Sequence, residues 1–286
     1  MKAQAKCSAW SSPALCCIRQ GVNRMKIVVC IKQVPNTNEV KLDPVTGTLI
    51  RDGVPSILNP DDKAGLEAAL QLKDKYGAEV TVLSMGPMQA DAVLREALAM
   101  GADNAYLVSG REFGGADTLA TSTTIAAAVK KLDFDLVITG RQAIDGDTAQ
   151  VGPQISEHLG IPNISYAEDI QLEDGYVIVK RQYEDRHHLI KAKMPCLVTA
   201  LGEMNTPRYM TPGGIFDAYR EKEVTVWGRA DLTELPDDVL GLKGSPTRVA
   251  KSFPKSLKPA GVKEQFDDAG EAADYIVGKL KEKFVL

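Results

Sequence analysis

DLVITGRQAIDGDTAQVGPQISEHLG, residues 135–160, passes from a short apolar strand through a polar loop into a helix, and its reading decides the fold. DLVIT is β-branched and of strand length, Gly140 breaks it, and PQISEHL has helical spacing up to the stop at Gly160. The loop between them, TGRQAIDGDTAQVGP (139–153), thus lies at the carboxyl end of a strand and opens a helix. That is where open α/β sheets bind ligands, and the free N–H groups of a helix's first turn form an anion site.

Working toward the N-terminus, the same unit recurs. KIVVCIKQV (26–34) is a β-branched run, and DDKAGLEAALQLKDKYG (61–77) has apolar residues at helical spacing. Asn59-Pro60-Asp61 supplies that helix start, with acids suited to the positive end of its dipole, and Gly77 its stop. EVTVLSM, a turn at Gly86-Pro87, QADAVLREALAM ended by Gly101, AYLV, and a helix opened by Asp117 complete an alternation that predicts a mostly parallel sheet with helices on both faces, a Rossmann-like α/β fold. LDPVTGTLIRDGVPSI (42–57) looks like a small hairpin before the first helix.

Toward the C-terminus the pattern changes. DIQLEDGYVIVKRQYEDRHHLIKAKMPCLVTAL (169–201) reads as an antiparallel strand meander, with Asp174-Gly175 as a hairpin turn and a second turn at Tyr183 to Arg186. Residues 202–262 are proline- and glycine-rich with little periodicity, which predicts an extended arm lying on a partner chain. DDAGEAADYIVGKLKEKF (267–284) reads as a capped amphipathic helix. The expected division is an N-terminal extension over 1–24, an α/β domain over 25–201 and the arm with its terminal helix over 202–286.

Composition narrows the function. The chain has 286 residues, 44% hydrophobic and 25% charged, as ordinary globular proteins have. No stretch approaches the roughly 18 consecutive apolar residues of a membrane span. Residues 1–24 carry four basic residues and no acid, so the net charge of −4 becomes −8 for the rest, a poor balance for binding nucleic acid. That basic segment resembles an organellar presequence, or lies upstream of a true start at Met25. Two of the five cysteines, Cys30 and Cys196, fall in the body without metal-ligand spacing and read as buried residues in a reducing compartment, here taken as the cytoplasm. The dinucleotide GxGxxG, Walker A, GxSxG and HExxH patterns are absent. His158, His187 and His188 read as structural or surface residues, so neither a catalytic side chain nor a metal site is expected.

Within the central loop, Gly140 and Gly146 let a backbone approach a ligand, Arg141 and Thr148 suit phosphate, and Gln142 and Gln150 suit sugar or base. The alternative is a loop merely capped by Asp145 and Asp147, and spacing alone does not separate the two. Asn59, Asp61 and Asp62, at the matching end of the first strand-helix unit, favour a nucleotide pocket.

Seven ordered segments, KIVVCIKQVP (26–35), NPDD (59–62), SMGP (84–87), ALAMGAD (97–103), GRQAIDGDTAQVGP (140–153), VKRQYEDRHHLIKAKMPCLVTA (179–200) and NTPRYMT (205–211), resemble the β subunit of electron-transferring flavoproteins. The resemblance implies a heterodimer with an α subunit and an adenine-nucleotide site lined by Cys30, Asn59, Pro60, Asp61, Asp62 and Met85. The loop Gly140, Arg141, Gln142, Ala143, Ile144, Asp145, Gly146, Asp147, Thr148, Ala149, Gln150 and Val151 would complete it.

In one branch of that family the site holds AMP. In the electron-bifurcating branch it holds FAD that takes a hydride from NADH. One electron then goes to ferredoxin or flavodoxin and the other, through the α-subunit FAD, to an acyl-CoA dehydrogenase such as butyryl-CoA dehydrogenase. Gly146 with Thr148 to Pro153 resembles the bifurcating branch, since the AMP form more often has an acid at the glycine position. The segment EMNTPRYMT (203–211) resembles the family's recognition loop, which implies Met204 as an exposed anchor for the dehydrogenase, and the terminal helix would pack on the α subunit. Without the resemblance, a stand-alone nucleotide sensor of the universal-stress type, or less well a related adenylating enzyme, fits the same loops.

Overall fold

A computed structural model describes residues 24–36, 55–248 and 261–286. All but the last residue of the extension expected over 1–24, and most of the stretch 42–57, lie outside those residues. β1 (Lys26–Cys30) leads through a short antiparallel pair, β2 (Gln33–Pro35) and β3 (Ser56–Leu58), to α1 (Pro60–Tyr76). Then follow β4 (Glu79–Met85), α2 (Asp91–Met100), β5 (Asn104–Val108), α3 (Thr118–Lys130), β6 (Leu136–Gly140) and α4 (Val151–Leu159). β7 (Asn163–Glu173), β8 (Tyr176–Gln182), β9 (His187–Lys193), β10 (Cys196–Ala200), α5 (Pro212–Arg220) and β11 (Val224–Trp227) complete a nine-stranded sheet of order β11-β5-β4-β1-β6-β10-β7-β8-β9.

The punctuation works as the residue chemistry demands. Gly77 ends α1 in the left-handed region at φ 72°, donating to the Lys73 carbonyl, and the Asp117 carboxylate caps α3 by accepting from the Leu119 and Ala120 N–H groups. At the β7–β8 hairpin Asp174 and Gly175 both have positive φ, 46° and 82°, the pair of conformations that a two-residue primed turn needs.

Along each inner strand, alternate residues enter different cores. Ile27, Val29, Leu136, Ile138 and Val198 pack beneath α1 and α2, while Val28, Cys30, Val137 and Leu197 pack with α3 and α4. Helices therefore cover both faces, which is why the inner strands are continuously apolar.

Two expectations are corrected. CLVTA is not the last strand of the meander: β10 lies between β6 and β7 and runs parallel to both. All five of its residues are buried, whereas β8 and β9 alternate, and that unbroken run is the mark of an inner strand. Nor is the stretch after residue 202 an irregular arm throughout. Pro212 occupies the first turn of α5, where a missing N–H costs nothing, and the Thr211 hydroxyl caps it from the Gly214 N–H. β11 then joins the sheet edge parallel to β5. Residues up to 248 share one compact unit with the sheet; residues 261–286 belong to a second unit, whose helix α6 (Ala269–Glu282) is capped by Asp268.

The connection after β5 crosses the sheet and returns on the other side of β1, so β1 lies between β4 and β6 and the chain reverses direction there. A crevice at the carboxyl ends of β1 and β6 follows from that reversal. Its walls close on Gly140, where an added Cβ would lie 2.2 Å from Asp62 Oδ1 and 2.8 Å from the Asp62 backbone nitrogen. The room that a glycine frees at 140 is thus filled by the first turn of α1 and not left for a ligand. Gly140→Ala is expected to lower stability by about 3 kcal/mol, a fall in Tm of roughly 5–10 °C. Gly146→Ala, with no atom within 4 Å of the added carbon, leaves Tm unchanged; equal Tm values for both variants would refute the packing account.

Candidate functional site

The crevice is built around the first turn of α1. The buried Asp62 carboxylate accepts the Lys32 N–H at 2.8 Å from the end of β1 and the Gly140 N–H at 3.0 Å from the end of β6. Asn59 makes no cap for α1. Its amide instead donates to the Gln142 carbonyl at 2.8 Å and accepts the Ile144 N–H at 3.1 Å, so it holds the 140–145 loop in place. Lys32 reaches the same loop through Asp145, at 2.7 Å. On the α3–α4 side, Cys30, Met85 and Val151 pack into one apolar cluster. The structure therefore brings Asn59, Asp61, Asp62 and the 140–145 loop together at the carboxyl ends of β1 and β6.

The loop beyond Asp145 is the exposed rim. Gly146, Asp147, Thr148 and Gln150 are exposed, and the Gln150 amide oxygen accepts from the Thr118 hydroxyl at 3.0 Å. Asp147 and Ala149 hold positive φ, 51° and 52°, conformations costing about 1 kcal/mol or more for residues with a Cβ. α4 begins directly after them with no side-chain cap. The N–H groups of its first turn have no capping side chain, the condition for an anion site at a helix start.

One charged pair stands out. Arg141 Nε lies 3.3 Å from Asp61 Oδ2, yet both buried atoms have no hydrogen-bond partner. Of the pair, the Arg141 guanidinium beside an uncapped helix suits a polar, anionic ligand, whereas the Asp61 carboxylate, an acceptor, does not. Burial pushes the Asp61 carboxyl above its ordinary range, against the pull of Arg141 and of the Gln142 and Gly202 N–H groups. Burial likewise pushes the Cys30 thiol up to about 12, so it stays protonated and apolar.

The other candidates lie elsewhere. His158 sits 3.2 Å from the Ser122 hydroxyl, His187 pairs with Glu168 at 3.0 Å, and His188 stacks on Tyr183. Met204 is half-buried against its own core and lines, with Ala68, Leu72, Tyr76 and Ile170, a cavity of about 180 Å³ away from the crevice. The exposed large apolar side chains of that segment are Tyr209 and Met210.

Gly152 escaped the sequence reading. A Cβ there would lie 2.6 Å from Thr139 Oγ1 and 2.8 Å from Thr199 Cγ2, so glycine is what lets α4 start hard against β6 and β10. Its signal was a glycine in a helix's first turn, unneeded for any turn.

Strand order, crevice and uncapped helix together define a protein of the parallel α/β nucleotide-binding class. The family model for the electron transfer flavoprotein domain matches residues 46–232. The electron transfer flavoprotein subunit beta of Clostridium acetobutylicum is 58% identical over 260 residues, covering 91% of this chain and 99% of that one. The caffeyl-CoA reductase-Etf complex subunit CarD of Acetobacterium woodii is 55% identical over 92% of this chain and all of its own. The acryloyl-CoA reductase electron transfer subunit gamma of Anaerotignum propionicum is 47% identical, again over 92% and 100%. The chain belongs to the electron transfer flavoprotein family, among its beta subunits.

Asp62 gives the site a pH signature. Burial pushes its carboxyl up to about 7, although the Asn59 amide and the Lys32 and Gly140 N–H groups pull the other way. A carboxyl whose pKa is higher folded than unfolded binds more protons in the native state. Its stabilising effect is full below about pH 4 and is lost as pH rises toward 7. Asp62→Asn cannot ionise, so the Tm of the parent relative to this variant is expected to fall between pH 4 and 7 and to level off above. Parallel Tm profiles for the two proteins would contradict this.

Proposed function

We propose that this chain is the beta subunit of a heterodimeric, electron-bifurcating flavoprotein whose crevice binds FAD. The observation that carries the reading is the opening itself: a helix start without a side-chain cap, the Arg141 guanidinium beside it and, at Gly146, open space where a side chain would stand. When bound, the flavin supplies hydride acceptance from NADH and release of one electron to ferredoxin or flavodoxin and one, through the α-subunit FAD, to an acyl-CoA dehydrogenase.

The chain's own residues bind and orient. The α4 N-terminus and Arg141 take the pyrophosphate, and Asn59 and Asp62 hold the loop that carries Arg141. Gly146 keeps the rim free of a side chain and a charge beside an anionic cofactor. Cys30, Met85 and Val151 exclude water from the inner wall. No side chain acts as acid, base or metal ligand.

The names of relatives that serve caffeyl-CoA and acryloyl-CoA reductases support an acyl-CoA dehydrogenase as partner here. α6, none of whose residues is buried, is read as the element that meets the α subunit. No described helix is long and apolar enough to cross a membrane, and the cytoplasm is the compartment proposed.

The test is the flavin and adenine-nucleotide content of the heterodimer with its α subunit, followed by anaerobic titration with NADH. Two FAD per heterodimer and bleaching by NADH are expected. One FAD with one AMP, and no response to NADH, would make the chain an AMP-holding subunit instead. Gly146→Asp is expected to remove the beta-subunit flavin while leaving the Tm of the flavin-free protein unaltered.

A further inference from the structure

α1 carries a charge where a helix facing a sheet ordinarily has none. Glu67, in the middle of AGLEAALQL, is only 4% exposed. Its carboxylate is met from 141 residues away by Arg208, with Nε at 2.8 Å, Nη2 at 3.0 Å and the Arg208 backbone N–H at 3.0 Å. The same Nη2 reaches Asp74 at 2.8 Å, and the Asn205 amide donates to the Ala64 carbonyl at 2.9 Å. Residues 205–208 are thus pinned along α1 from Ala64 to Asp74.

The other end of this stretch is pinned as firmly. Thr211 caps α5, and α5 approaches α2 so closely that a Cβ on Gly214 would lie 2.3 Å from the Ala99 carbonyl oxygen. Between the two anchors stand Tyr209, 94% exposed, and Met210, 43% exposed. A tyrosine and a methionine held out on a taut, rigid bridge are contact residues prepared in advance, because little side-chain or backbone freedom remains to be lost when a partner binds. An ion pair with its carboxylate buried and its arginine partly exposed adds little net stability over an apolar pair of similar volume. Its bidentate geometry does fix register, which two methionines would not.

We propose that Glu67 and Arg208 are positioning residues for partner recognition: they register residues 205–210 on α1 so that Tyr209 and Met210 meet the acyl-CoA dehydrogenase, an inference that rests on the reading that this segment faces that enzyme. α1 then serves two sites, its first turn building the crevice and its middle aiming the docking bridge.

The test uses the heterodimer as electron acceptor for butyryl-CoA dehydrogenase and butyryl-CoA, with KM for the heterodimer and kcat measured separately. Tyr209→Ala and Met210→Ala are expected to raise KM roughly tenfold, the loss typical of truncating an interface anchor. The double variant Glu67→Met/Arg208→Met is expected to raise KM by a similar factor, with kcat, flavin content and Tm close to the parent's. Arg208→Lys, which keeps the charge and loses the fork, falls between. If the tyrosine and methionine variants raise KM but the Glu67/Arg208 variants do not, the positioning role is wrong and the docking reading stands. If none of Met204→Ala, Tyr209→Ala and Met210→Ala moves KM, the docking reading fails and takes the positioning role with it. Should the double variant not fold, Arg208→Lys with an unchanged KM overturns the proposal.

Discussion

Everything at the crevice depends on one carboxylate. Asp62 bonds to the ends of two parallel strands that share no turn, Lys32 after β1 and Gly140 at the end of β6, and does so from the first turn of a helix. Strand ends splay at a reversal of sheet order, since each is followed by a connection leaving on a different face. A buried acceptor with two oxygens ties them together where no ladder hydrogen bond can. The glycine at 140, the amide of Asn59 and the lysine of 32 are arranged around that tie: one gives it room, one carries the loop past it, and one balances the loop's charge.

The tie also explains why the rim is strained while the base is not. From Gly140 to Asp145 the loop is held by backbone and side-chain partners on α1. From Gly146 to Gln150 it has few, and there two residues with a Cβ take left-handed conformations before α4. Strain gathered at the one exposed stretch beside an uncapped helix is the distribution expected of a binding rim on a rigid frame.

Much of this was legible in the residues. Strands, helices and their stops followed from β-branched runs, helical spacing and glycines such as Gly77 and Gly101, because each is a local signal. The crevice followed from the loop after DLVIT, because a βα unit has one binding end. What escaped was everything set by distant pairing. CLVTA looked like a fourth strand of the meander because it directly follows one; its place between β6 and β7 is visible only in its unbroken burial. Pro212 falls in the stretch read as an irregular arm and is a helix start. Asn59 looked like a cap and is a cross-link. The partner of Glu67 lies 141 residues downstream, a separation that no pattern along the chain reveals.

The place of β10 has a consequence for how the chain is made. β7, β8 and β9 leave the ribosome as a three-stranded meander before their only link to the inner sheet exists, since β7 touches it through β10 alone. Until Cys196–Ala200 emerges, the edges of β6 and β7 that β10 joins are both unpaired. At about 5–20 residues per second this interval spans a second or more of synthesis. The strand that closes the gap is also the one whose last residues, Thr199 and Ala200, back the start of α4 and the Arg141 loop. The end of the sheet where β6 meets α4 is therefore among its last parts to acquire support.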